Sequence, residues 1–139
     1  MNIDKLDDPK NSLNLFGLDN FFDFLVNLLN TEKLPKVLLL SGNKGIGKFT
    51  LINHFLTYMY DKENYDYDKK LINENSTFYK QYSKNLFQNI TYLSGSKFNS
   101  IKIDEIRDLK SSIQKTSIKN KKRVIILDDV ELFNINSLN

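Results

Sequence analysis

Three glycines and a lysine stand close together at Gly42, Gly45, Gly47 and Lys48, and residues of these types at this spacing are suited to holding an anion. Glycines let backbone N–H groups turn toward one point, and a helix beginning at the lysine adds the positive end of its dipole. The run Val37 to Ser41 precedes the loop and is apolar enough to read as a buried strand. Behind the loop, Leu51, Ile52, Phe55, Leu56 and Met59 fall on one side of an expected helix. Strand, loop and helix in this order make a phosphate cradle from Gly42, Asn43, Lys44, Gly45, Ile46, Gly47, Lys48, Phe49 and Thr50. Lys48 would reach the β and γ phosphates of a nucleotide, and the residue after it ordinarily brings a hydroxyl to Mg²⁺. That residue is Phe49, and the hydroxyl arrives one position late, at Thr50. The loop is built for phosphate and incomplete for metal. Phosphoryl transfer relies on the metal to offset developing charge, so phosphate binding is expected ahead of hydrolysis.

A second constellation lies in VIILDDVE, residues 124 to 131. Carboxylates at the C-terminal end of a parallel strand stand where such sheets bind ligands. In that position Asp128 would hold Mg²⁺ through water, and Asp129 would orient an attacking water as the catalytic acid of the pair. The competing explanation is that the two acids merely cap the following turn. Pairing with the upstream loop favours the chemical role. His54 lies inside the helix after the loop, with no cysteine and no second histidine in the chain, so a metal or triad role is not expected for it. Lys119, Lys121, Lys122 and Arg123 read as a solvated basic turn, Arg107 as a surface ion-pairing residue, and the tyrosines between 58 and 82 as partly buried aromatics.

The elements that must position these residues fit one domain or part of one. The chain has 139 residues, 40% of them hydrophobic and 27% charged, with a net charge of +3 that is too small to argue for nucleic acid unaided. The absence of cysteine excludes disulfides and suits a cytoplasmic location. No apolar run approaches the length of a membrane span, and the opening MNIDKLDDPKN is too acidic and polar for a signal peptide. Residues 1–14 read as a polar arm. A helical stripe runs from Leu18 to Leu29, with Asp19 or Asn20 as its cap. Residues 61–88 form a variable insert without a strong period, in which a weak helix is expected over Leu71 to Phe87. Asn89 to Leu93 is a strand candidate followed by a Ser-Gly-Ser loop. Ile103, Ile106, Leu109 and Ile113 have helical spacing, and Val124 to Leu127 is a second buried strand. Alternating strands and helices indicate an α/β fold with a parallel sheet.

Pro9 to Asn11, Leu15-Phe16-Gly17, Leu34-Pro35 and LLLSGNKGIGKFTL together resemble the opening of the clamp-loader subunits of bacterial DNA polymerase III. IDEIRDLKSSIQKTSIKNKKRVIILDDVELFNINSLN resembles the same family around its Walker B strand. The likeness runs from about residue 9 to the end, except for 61–88, and is greatest to the delta-prime kind. It implies a P-loop NTPase fold of the AAA+ and RecA-like type, a parallel sheet flanked by helices. It further implies a role in ATP-driven loading of the sliding clamp onto primed DNA, alongside tau/gamma and delta subunits in the cytoplasm, with ATP or ADP and Mg²⁺ as ligands.

The alternative is an ATP-hydrolysing tau/gamma-type subunit, or another P-loop ATPase or kinase. A tau/gamma subunit is expected to carry threonine after the lysine and Asp-Glu at the strand end. Phe49 and Asp129 occupy those positions and favour a subunit that assists without hydrolysing. With no cysteine module, zinc is not implied. The family continues beyond the point matching Asn139, into a sensor strand, an arginine-finger motif, and lid and collar domains. On the resemblance the chain is therefore an N-terminal portion of an AAA+ domain with an incomplete sheet. In that sheet the sensor strand separates the P-loop strand from the Walker B strand. Val37–Ser41 and Val124–Leu127 are accordingly expected to be unpaired with each other and to expose apolar side chains.

Overall fold

The computed structural model describes residues 11–96, 111 and 122–132. They belong to two compact units, one ending at Leu86 and the other starting at Phe87.

The first unit is built on two helices. The stripe read from sequence becomes α1, Asp19–Asn30, which buries Phe22, Leu25 and Val26. Its cap is Leu18, with no side-chain cap bond, rather than Asp19 or Asn20. Asp19 instead sits inside the first turn, where its charge meets the helix dipole. The helix ends at Thr31, whose amide and hydroxyl both return to the Asn27 carbonyl, at 2.9 and 2.7 Å. The next helix, α2, spans Lys48–Tyr60 and is covered on more than the one side its apolar spacing indicates. Asn53, His54, Thr57 and Tyr58 are buried together with Leu51, Phe55 and Leu56. The cover comes from α1 and from the segment after α2.

That segment corrects the expectation for 61–88. Instead of one helix over Leu71 to Phe87, a 3-10 turn at Lys62–Asn64 leads into an antiparallel hairpin, β1 Tyr65–Asp66 and β2 Leu71–Ile72, in the register Tyr65↔Ile72 and Asp66↔Leu71. Lys70 takes a left-handed φ of 49° at the end of the connecting turn. The α-helix in the segment is α3, Thr77–Ser83, inside the expected range but shorter, and it is set by Ser76, whose side chain accepts from the Tyr79 amide at 3.1 Å. The supposed polar arm is also structured from Asn11 onward. The Leu15 amide donates to the Lys70 carbonyl at 3.1 Å, and the Ile72 amide to the Leu13 carbonyl at 2.9 Å, which lays residues 13–15 along β2.

The core around these elements is aromatic. Phe22 is fully buried, stacked on Tyr65 with ring centroids 5.4 Å apart and edge-on to Tyr58 at 6.0 Å. The Lys70 ammonium lies 3.7 Å from the Tyr67 ring centroid and 2.9 Å from Asp23. Tyr67 also donates to Asp23 at 2.6 Å. These two bonds, the Tyr67 hydroxyl first, hold the Asp23 carboxyl below its ordinary pKa and fasten the hairpin to α1.

Val37–Ser41 is not a strand. No described strand pairs with it, and Val37 and Leu39 are 85% and 77% exposed. A strand without a neighbour leaves its backbone groups to water, so apolar composition alone does not make one.

The second unit holds the parallel pair. β3, Ile90–Ser94, runs beside β4, Val124–Asp128, in register from Ile90↔Val124 to Ser94↔Asp128. β4 is not buried throughout, as its apolar run alone suggests, but exposes Ile125 and Leu127, as an incomplete sheet implies, while Val124, Ile126 and Asp128 are half-buried. The alternation follows from covering one face of a strand. The expected helix through Ile103 to Ile113 and the start of the basic turn at Lys119 lie outside the described residues, Ser111 apart.

His54 carries a consequence for stability. Its Nδ1 is 2.9 Å from the Tyr65 hydroxyl and its Nε2 is 3.0 Å from the Ser12 carbonyl. A carbonyl only accepts, so Nε2 carries the proton and Nδ1 accepts from Tyr65. Burial pushes the His54 pKa down to about 4, against the opposing pull of the Ser12 carbonyl. The unfolded chain takes up this proton near pH 6.5 and the folded chain only near pH 4. Stability from this residue is therefore complete above pH 6.5 and falls as pH drops toward 4, by roughly 3 kcal/mol in all. Urea melts between pH 4 and 7 are expected to show this slope in the wild type and to lose it in His54→Gln.

Candidate phosphate loop and acidic strand end

The loop residues come before and into α2. Gly42, Asn43, Lys44, Gly45 and Ile46 are exposed, whereas Gly47, Lys48, Phe49 and Thr50 are half-buried. Gly47 is the helix cap and has a left-handed φ of 92°. A Cβ there would stand 3.0 Å from Leu18 Cδ1, a flexible side-chain end that can give way, so it is the backbone that calls for glycine. The Lys48 ammonium arches back over the loop and donates to the Gly42 and Asn43 carbonyls, at 2.7 and 2.9 Å. Ile46 makes a long amide bond to the Asn43 carbonyl, 3.4 Å. The amides of Lys44, Gly45, Gly47 and Lys48 have no protein acceptor among the described residues. Amides without an acceptor, a helix N-terminus and an ammonium are donors of the kind that suit an anion. Phe49 puts a phenyl ring, with no oxygen, where the metal-binding hydroxyl would be.

Asp128 and Asp129 stand at the C-terminal end of β4, as the sequence indicates. Asp128 Oδ2 accepts from the Tyr92 hydroxyl of β3 at 2.8 Å, and Oδ1 accepts from the Asp129 amide at 3.0 Å. The second bond shows that Asp128 does brace its own turn, so the turn-capping explanation holds in part. Asp129 has a left-handed φ of 49°, and its Oδ2 lies 3.5 Å from Ser94 Oγ. The backbone here is fixed from several sides. The Gly95 amide extends the ladder to the Asp128 carbonyl at 2.9 Å, and the Leu132 amide donates to the Asp129 carbonyl at 2.9 Å. A Cβ at Gly95 would clash with the Asp129 carbonyl oxygen, which only glycine avoids. Burial first, then the bond to Asp128, pushes the Tyr92 pKa up to about 12, so its hydroxyl remains a donor at neutral pH.

Tyr92, Ser94 and Gly95 escape sequence reasoning because a strand end followed by Ser-Gly-Ser looks like any loop. No sequence pattern marks them; only the register of β3 against β4 brings them to the acids. No three His, Asp or Glu side chains gather into a cation cage among the described residues. Mg²⁺ usually takes one or two carboxylates together with phosphate oxygens and water. Asp128, a single oriented carboxylate, fits that manner of binding. Phe49 does not.

No helix among the described residues is long and apolar enough to cross a membrane. A family model described as DNA polymerase III, delta subunit, matches residues 17–139. Comparison with curated proteins and with solved structures gives no match. The matched stretch takes in the glycine loop, α2 and both strands of the parallel pair, and on it the chain belongs to the DNA polymerase III delta-subunit family of clamp-loader proteins.

Proposed function

We propose that the chain is a delta-prime-like clamp-loader subunit that binds ATP or ADP weakly and hydrolyses ATP slowly or not at all. It would act with tau/gamma and delta subunits in the cytoplasm, assisting the placement of the sliding clamp on primed DNA. The reading is supported by the loop itself, whose amides at Lys44, Gly45, Gly47 and Lys48 lack an acceptor among the described residues and whose Lys48 ammonium reaches back over the Gly42 and Asn43 carbonyls, while Phe49 stands where a metal-binding hydroxyl belongs. Bound Mg²⁺ would offset charge on the phosphates. Asp128 is the residue to hold it through water, with Thr50 a poorer source of oxygen one position late and Asp129 the residue to orient a water.

Restoring the hydroxyl tests this directly. Phe49→Thr is expected to strengthen ATP binding in Mg²⁺ by about tenfold, the scale of one charge-assisted interaction, and to leave binding in EDTA nearly unchanged. Titration calorimetry in both conditions measures it. An unchanged Mg²⁺ dependence would place the defect elsewhere.

A further inference from the structure

We propose that Tyr92 is a positioning residue for a divalent-cation site at Asp128, holding that carboxylate in one orientation from the neighbouring strand. The assignment rests on reading Asp128 as the acid that faces the cation. In the parallel register Ser94 pairs with Asp128 and Tyr92 with Ile126, so Tyr92 and Asp128 lie diagonally on one face of the pair. A diagonal neighbour is within reach only of a long side chain, and the phenol closes the span to 2.8 Å. Oδ1 is taken by the Asp129 amide at 3.0 Å. With one donor on each oxygen, rotation of the carboxylate about χ2 breaks both bonds. Each oxygen still has a lone pair, and these point away from the two donors in fixed directions. Ser94, 2% exposed, bonds to Ser96 Oγ at 2.8 Å and reaches Asp129 at 3.5 Å, so the two acids are braced by different residues of β3.

Partners of this kind around metal-binding side chains typically govern metal affinity over a 10–100-fold range. The probe is Mn²⁺ added to the full chain, read as paramagnetic broadening of amide resonances, with Mg²⁺ as competitor. In the wild type, selective broadening at Gly95, Ser96 and Asp129 is expected, reversed by Mg²⁺ and absent in Asp128→Asn. Tyr92→Phe is expected to raise the Mn²⁺ midpoint about tenfold. Tyr92→p-aminophenylalanine, which restores a donor at the same reach, is expected to bring the midpoint back. Amide exchange in β4 separates a merely structural role, which would lower protection and leave the midpoint alone. A wild-type midpoint in Tyr92→Phe with β4 protection intact would overturn the proposal while keeping Asp128 as the cation's acid. No selective broadening in the wild type would overturn the reading of Asp128 itself, and the role of Tyr92 with it. If Tyr92→Phe does not fold, a midpoint raised in the p-aminophenylalanine variant, although its donor is in place, would also overturn the proposal.

Discussion

Phe22→Ala is expected to lower the stability of the first unit by about 3–5 kcal/mol, the usual cost of deleting a buried phenyl ring. Whole domains are stable by only about 5–15 kcal/mol, so the loss is a large share. The reason lies in what the ring touches. Phe22 is fully buried, packs on Tyr58, Tyr65 and Tyr67, and has the Lys70 ammonium 5.1 Å from its centroid. Removing it opens a cavity lined by tyrosines and undermines the Lys70–Asp23 pair that fastens the hairpin to α1. Urea melts followed by tyrosine fluorescence measure the change. A shift below about 1 kcal/mol would mean that the site collapses around the smaller residue and that this cluster is not the centre of the core.

Lys48→Ala is expected to weaken ATP and ADP binding by roughly 10–100-fold, the loss of a charge-assisted bond to phosphate. The same change is expected to leave the melting temperature nearly alone. Its present partners are the Gly42 and Asn43 carbonyls, and both bonds are exposed, so water replaces the ammonium at little cost. Binding measured beside a melting curve separates the two effects. Equal affinity in wild type and variant would remove the loop from nucleotide recognition.

Local pattern carried some elements and not others. α1 was legible because Phe22, Leu25 and Leu29 repeat at helical spacing, and the loop because glycine and lysine have few other reasons to stand together. Val37–Ser41 misled because an apolar run records a wish to be buried without naming the neighbour that would bury it. The hairpin of Tyr65–Ile72 was hidden because its strands are two residues each and the apolar character of its first strand and turn is carried by tyrosines. Those rings pack inward while their hydroxyls seek distant partners, Asp23 for Tyr67 and His54 for Tyr65, and no period reveals such pairs. The same holds at the acidic end. Asp128 and Asp129 could be picked out by type and position, but Tyr92 joins them only through the register of β3 on β4.

Whether nucleotide is held without being hydrolysed is decided by following binding and turnover of one labelled nucleotide in the same sample. The purified chain is mixed with radiolabelled ATP and Mg²⁺, and retained label and released phosphate are counted together over time. Label is expected to be retained through Lys48 and recovered as intact ATP, with little or no phosphate released. Steady phosphate release that disappears in Lys48→Ala would contradict it and mark the chain as an ATPase in its own right.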